Sequence, residues 1–178
     1  MDHLDQGPRQ LLGPAFPDDT GETPAEVAAA LAAYAGGAGD RAGVLAALGD
    51  TRVLVPVVAV LGEAEIGPDG LAREKSSDMA AVLLTGADGR LALLAFTGTA
   101  SLAAWNPEAR PVPVTTRTAA QSAIQEGAAA LVVDVAGPVP FVVEGEDLRA
   151  VALGWQLGRM GGEAVWIAPD SRPDGILG

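Results

Sequence analysis

Cysteine is absent from this sequence, and histidine and lysine each occur once, as His3 and Lys75. A chain without cysteine has no disulfide, no thiolate nucleophile and no zinc–thiolate site. The histidine lies in an aperiodic stretch near the first residue, so we expect it to be neither the base of a serine–histidine–aspartate triad nor a metal ligand. Aromatic residues are also scarce, at 4%. The core is therefore expected to consist mainly of valine, leucine and alanine.

Positive charge is in short supply as well: 23 acidic and 11 basic side chains give a net charge of −12. Such a surface repels phosphate backbones and anionic lipid headgroups, which argues against binding to nucleic acid or to membrane surfaces. The richest apolar run, residues 128–143, is interrupted by Asp134 and two prolines, and a membrane span needs about 18 uninterrupted apolar residues. No signal-peptide pattern opens the chain. We predict a soluble cytoplasmic protein with no cofactor and no metal.

Apolar residues make up 49% of the 178 residues, which suits one folded domain. Residues 1–22 mix proline, glycine and aspartate without periodicity and are predicted to be a flexible N-terminal arm. Residues 23–158 are predicted to form a single domain. Residues 159–178 are predicted to be a C-terminal tail, because the stretch is rich in glycine and proline.

The stretch around which the chain is organised is residues 90–114, RLALLAFTGTASLAAWNPEARPVPV. It reads as a buried strand ending at Phe96, a helix capped by Thr97 or Thr99, and a proline-bracketed edge strand. Leu102 and Trp105 lie three residues apart on one face of that helix. The flanking apolar segments are expected to pack around this unit.

Capping boxes at residues 23–26 and 118–121 predict further helices. The run RVLVPVVAVL predicts a first strand, and its proline, Pro56, indicates an edge strand or a bulge. Two apolar runs joined by Asp88-Gly89 predict a hairpin. We predict an α+β fold, with a mixed sheet of about five to six strands and four to five helices packed on it.

Two groups of residues are candidates for a specific role. The run Glu74-Lys75-Ser76-Ser77-Asp78 precedes a core strand, and Lys75, Ser76, Ser77 and Asp78 are candidates for a ligand loop. A serine–lysine nucleophile pair is conceivable there, and the alternative is a solvated loop whose side chains bond local backbone.

Val165, Trp166 and Ile167 form a small apolar island in the predicted tail. They are candidates for contact with a partner. The acidic residues Glu144, Glu146 and Asp147 are better explained by the amino end of a helix than by a metal site.

Three segments together resemble the SseB family N-terminal domain in its actinobacterial form, over about residues 25–155. They are RVLVPVVAVLGEAEIGPDGLAREKSSDMA, ALLAFTGTASLAAWNPEARPVPV and ALVVDVAGPVPFVVEGEDLRAV. The resemblance implies an α+β domain of poorly defined function and no catalytic residues. The family's names refer to enhanced serine sensitivity and to a type III secretion protein. The second name transfers badly, since this sequence has no long coiled-coil or membrane-inserting helix.

Three functional hypotheses follow. The first is a non-catalytic module that binds an unknown protein partner or itself, in the latter case as a homodimer; it rests on the missing catalytic motifs, the acidic surface and Val165–Ile167. The second is a small-ligand sensor, for an amino acid, with the ligand loop near its pocket. The third, less favoured, is an enzyme that uses paired carboxylates.

Overall fold

The computed structural model describes residues 16–49, 51–60, 65–66, 72–73 and 78–169. Its helices are α1 (Ala25–Ala35), α2 (Arg41–Gly49), α3 (Thr99–Trp105), α4 (Thr116–Gln125) and α5 (Gly145–Leu153). Its strands are β1 (Arg52–Val60), β2 (Glu65–Ile66), β3 (Ala72–Arg73), β4 (Asp78–Ala81), β5 (Leu83–Thr85), β6 (Leu91–Ala95), β7 (Arg110–Thr115), β8 (Ala130–Val133), β9 (Phe141–Glu144), β10 (Gln156–Met160) and β11 (Glu163–Ile167). The predicted α+β class is confirmed. None of the helices in these ranges is long and apolar enough to cross a bilayer.

The strands form several small sheets, so the prediction of one mixed sheet of five to six strands is wrong. One sheet has the order β4-β1-β7, a second has the order β5-β6-β8-β9, and β2-β3 and β10-β11 are two-stranded. The larger sheet is mixed, because β6 and β8 run parallel while its other pairs are antiparallel. The two larger sheets touch through one residue pair, in which Leu54 and Phe96 exchange backbone hydrogen bonds of 2.7 and 2.8 Å. A single pair does not merge them into one sheet.

Pro56 lies in the central strand of its sheet, not at an edge or a bulge as predicted. It stands opposite Pro111 of β7, while its carbonyl accepts a hydrogen bond from the amide of Val82 on the other side (3.3 Å). Pro56 and Pro111 therefore form a non-hydrogen-bonded antiparallel pair, in which the backbone groups of the two residues point away from each other. Neither proline removes a hydrogen bond between β1 and β7. The predicted edge position of β7 is confirmed.

Side chains alternate across β1 and β6, and this alternation divides the core into two clusters. The larger cluster holds Val53, Leu93 and Ala95, and it is covered by α1, α2, α4 and α5. The smaller cluster holds Leu54, Leu94 and Phe96, and it is covered by α3 through Leu102. Burial on both faces explains why these strands read as unbroken apolar runs.

Trp105 was predicted to share one face of α3 with Leu102. It packs against the smaller cluster with its ring centroid 5.6 Å from that of Phe96. Phe96, at the end of the predicted buried strand, is fully buried, and so is Phe141. The organising role predicted for residues 90–114 is therefore seen in the packing of β6, α3 and β7.

Candidate functional site

The predicted ligand loop falls at the limit of what the structure describes. Lys75, Ser76 and Ser77 lie outside the described residues. Asp78 is the first residue of β4 and is paired with Val60 of β1. The role of these four residues stays a prediction.

Val165, Trp166 and Ile167 belong to strand β11, which pairs with β10 over five residue pairs. The proposed end of the domain at residue 158 therefore falls in the middle of β10. Trp166 is half-buried and packs against the larger core cluster together with Leu157. These residues were predicted to lie in a tail because the stretch is rich in glycine and proline. Two of those glycines, Gly161 and Gly162, instead form the turn of the hairpin.

Polar contacts fix this hairpin to the helices. The indole Nε1 of Trp166 donates to Oδ1 of Asp147 in α5 (3.0 Å). The second oxygen of Asp147 accepts from both Nε and Nη2 of Arg41 in α2, each at 3.0 Å. At the far end of the hairpin, Arg159 Nη2 donates to Oδ2 of Asp40 (2.6 Å). The hairpin is thus a docked part of the folded unit.

The turn geometry determines which backbone groups of β11 face away from β10. Gly161 and Gly162 both have positive φ, 59° and 89°, as a two-residue type I′ turn requires. The residues flanking such a turn form a hydrogen-bonded pair, and hydrogen-bonded and non-bonded pairs then alternate. In this register the amides of Ala164 and Trp166 point outward. Within the described residues no strand pairs with that outer edge.

A groove runs between the hairpin and helices α2 and α5. Two adjoining cavities, of about 330 and 520 Å³, share Leu45, Trp155, Leu157 and Trp166 in their walls. The half-buried side chains of two tryptophans therefore line one continuous depression beside β10 and β11.

A second site surrounds Asp134, which directly follows β8. Its side chain is buried, with 4% of the residue exposed, and its φ of 53° is the only positive value among the described residues other than glycine. Oδ1 accepts from the amide of Thr97 (2.8 Å) and from Oγ of Ser101 (2.6 Å). Oδ2 accepts from Oγ1 of Thr97 (2.6 Å). We call these residues, with Thr23, the Asp134 cluster.

Thr23 was predicted to cap α1, and Thr97 or Thr99 to cap α3, and both predictions are wrong. Helices α1 and α3 begin without a side-chain cap, because these hydroxyls bond across the fold: Thr23 Oγ1 lies 2.9 Å from Thr97 Oγ1. The buried guanidinium of Arg52 completes the surroundings. It donates to the carbonyl of Thr97 and forms an ion pair with Asp19 at 2.8 Å.

Residues 16–22 of the predicted arm are thereby held against β1 through Asp19. Arg52 Nη2 also donates to the carbonyl of Glu22 (2.6 Å). Gly21 accepts from both the amide (2.7 Å) and the hydroxyl (3.1 Å) of Thr99. The hydrogen bond from Arg52, the largest influence, lowers the pKa of the Asp19 carboxyl.

A cavity of about 340 Å³ opens beside the Asp134 cluster. It lies at the edge of the sheet where the parallel strands β6 and β8 both end, a position at which α/β sheets often bind ligands. Its polar lining comes from the cluster itself. The apolar lining residues are Ala28, Leu31, Ala100, Ala104, Ala136, Pro138 and Val139.

Neither site carries a recognisable catalytic set. Across the described ranges no three His, Cys, Asp or Glu residues converge as metal ligands. The third hypothesis needs a pair of carboxylates. Asp134 bonds two hydroxyls and an amide, and no second carboxylate among the described residues lines its cavity. Glu146 and Asp147 both line the groove, but Asp147 is bonded to Arg41 and Trp166. No sequence motif pointed directly to the Asp134 cluster. The available signal was an acidic residue directly after a buried strand, in the run 128–143.

The described residues therefore define an α+β domain with a buried carboxylate cluster and a docked hairpin at its C-terminal side. A family model described as SseB protein N-terminal domain matches residues 27–150, and the chain belongs to the SseB family. The match contains the Asp134 cluster apart from Thr23, and it ends before the hairpin. No curated protein matches the chain, and no solved structure does.

Proposed function

We propose that this SseB-family domain is a non-catalytic binding module, and that it binds an extended segment of a protein partner along the outer edge of β11. The observation that carries the proposal is the outer edge of β11, with which no described strand pairs and toward which the amides of Ala164 and Trp166 are directed. An exposed strand edge is a ready template for an added strand, a mode of recognition that many peptide-binding domains use.

Apolar side chains beside this edge supply contact area for the added segment. Ile167, at the end of β11, is 50% exposed. Ala164, Val165 and Trp166 of β11 themselves line the groove, together with Trp155. Tryptophan in a partly buried groove is typical of residues that dominate binding energy at interfaces. Backbone pairing would thus give affinity, and the groove would select side chains.

The local charges favour a basic segment. Arg41 and Arg159 are each neutralised by an aspartate. Glu146, in the groove wall, and Glu163, in β11, form no ion pair within the described part of the chain. With a net charge of −12 over the whole chain, attraction to a cationic partner would raise the association rate and favour it over acidic competitors.

The test uses a fluorescent peptide of alternating valine and lysine, whose binding to the full chain is followed by anisotropy. A peptide of alternating valine and glutamate is the charge control. Replacing Ala164 with proline removes an outward amide but no hydrogen bond to β10. Ala164→Pro is expected to weaken binding of the basic peptide by at least about tenfold. Ala164→Val, the matched control, adds similar bulk but keeps the amide, and it is expected to bind the basic peptide more tightly than Ala164→Pro does.

Equal binding of the basic peptide to the proline and valine variants would overturn the proposal, and so would equal binding of the basic and acidic peptides. Sedimentation velocity of the same variants tests self-association. A wild-type dimer that becomes a monomer in Ala164→Pro would identify a second copy of this chain as the occupant of the edge.

A further inference from the structure

We infer that the cavity beside the Asp134 cluster is a second binding site, independent of the β11 edge, and that it takes a small molecule with an ammonium group and an apolar body. The ammonium would donate to Oδ2 of Asp134, and the apolar body would lie against α1 and α3. The residues that line the cavity from these helices are Ala28, Leu31, Ala100 and Ala104.

The first argument is charge. Asp134 is buried, with 4% of the residue exposed. The three groups that donate hydrogen bonds to its carboxylate, one amide and two hydroxyls, are all neutral. Buried carboxylates are rarely left without a positive partner. The nearby guanidinium of Arg52 bonds the Thr97 carbonyl and Asp19 instead. No described side chain that bonds Asp134 is positively charged. A cationic ligand would supply that charge.

The second argument is the count of acceptor sites. An ionised carboxylate offers about four lone-pair positions. Oδ1 accepts two hydrogen bonds and Oδ2 accepts one. One position on Oδ2 is therefore open, on a residue that lines the cavity. A primary ammonium carries three donors. It can bond Oδ2 and use the neighbouring hydroxyl oxygens of Thr23 and Thr97 as further acceptors.

The third argument concerns the remaining walls. The lining residues include one acid and no cation, and the rest are threonine, serine and apolar side chains. The carboxylate of a zwitterionic amino acid would find no positive partner there and would lie near Asp134. The site thus suits a simple amine better than an amino acid such as serine, the ligand suggested for a sensor by the family name that refers to serine sensitivity.

The experiment is an NMR titration of the ¹⁵N-labelled full chain with isobutylamine. This amine is protonated at neutral pH, as a lysine side chain is. Isobutanol, of the same shape but neutral, and L-serine are the comparison ligands. The amides of Thr97, Ser101 and Gly137 are the reporters. They are expected to shift with isobutylamine, and to shift little with isobutanol or L-serine at equal concentration.

Two variants make the test specific. Asp134→Asn keeps a residue that tolerates positive φ but removes the charge, and it is expected to weaken isobutylamine binding about ten- to hundredfold. Ala104→Leu, at an exposed position of the wall, fills part of the cavity without touching the cluster and is expected to weaken binding as well. Glu126→Gln, an exposed acid outside the lining, is the control and is expected to bind normally.

Three results would each overturn the inference. One is the absence of saturable shifts at the reporter amides with isobutylamine. Another is equal binding of isobutanol, which would indicate an apolar cavity that does not use Asp134. The third is unchanged isobutylamine binding in Asp134→Asn, which would show that the ammonium does not bond this carboxylate. Stronger binding of L-serine than of isobutylamine would also contradict the inference, because the cavity would then prefer an amino acid to a simple amine.

Discussion

Replacing Asp134 with alanine is expected to lower the free energy of unfolding by about 3–5 kcal/mol. The change removes the acceptor of three hydrogen bonds, two from the buried Thr97 and one from Ser101, at roughly 1–1.5 kcal/mol each. Alanine at a φ of 53° adds about 1 kcal/mol of backbone strain. The variant no longer has a carboxylate to bury, and the absence of that desolvation cost offsets part of this loss.

Two further substitutions at the same position separate these contributions. Asp134→Asn keeps one carbonyl oxygen for the amide and for Ser101 and tolerates the backbone, so it is expected to cost about 1–2 kcal/mol. Asp134→Gly removes the hydrogen bonds but relieves the strain, so it is expected to lie between the two. Urea denaturation followed by circular dichroism gives the three values. An alanine variant within about 0.5 kcal/mol of the asparagine variant would refute the reasoning.

Three other outcomes are expected. Asp19→Asn should flatten the dependence of stability on pH, because hydrogen bonding to Arg52 lowers the folded-state pKa of Asp19. The stability that Asp19 contributes is present above the unfolded pKa of about 3.9 and is lost as pH falls through the lower folded value. A variant whose stability depends on pH as the wild type's does would count against this role of Asp19. Trp166→Phe should cost about 1 kcal/mol by removing the hydrogen bond to Asp147, and unchanged urea stability would disprove this anchor. Phe96→Ala should cost about 3–5 kcal/mol, since Phe96 is fully buried, and a loss below about 1 kcal/mol would show that Phe96 does not hold α3 against the sheet.

The elements that sequence predicted best are those with strong local patterns. The buried run ending at Phe96 and the hairpin with Asp88-Gly89 at its turn both depend on residues close together in the chain. The family resemblance, which rested on segments between residues 25 and 155, is confirmed by the match over residues 27–150.

The predictions that did not hold depend on long-range partners. Thr23 was predicted to cap α1, but its hydroxyl contacts Thr97, 74 residues away. Pro56 was predicted at an edge because it lacks an amide, but Pro111 stands opposite it, and the register of two distant strands is not encoded locally. Propensity predicts what a segment can form and does not identify its tertiary partners.

The candidate sites divide in the same way. Val165–Ile167 were recognisable as an apolar island, although their place in a docked hairpin depends on Asp147, which lies in α5. Asp134 could not be singled out, because its donors lie 33 and 37 residues earlier in the chain. A buried acceptor becomes visible as a site only when the fold brings its donors together.

The most direct test of the proposed function is amide hydrogen exchange along β11, measured by NMR in the dilute protein with and without the valine–lysine peptide. The register predicts that Val165, bonded to β10, is protected in both states. The outward amides of Ala164 and Trp166 should exchange rapidly in the free protein and become protected when the peptide binds. Unchanged exchange at both residues under saturating peptide would contradict binding at the β11 edge.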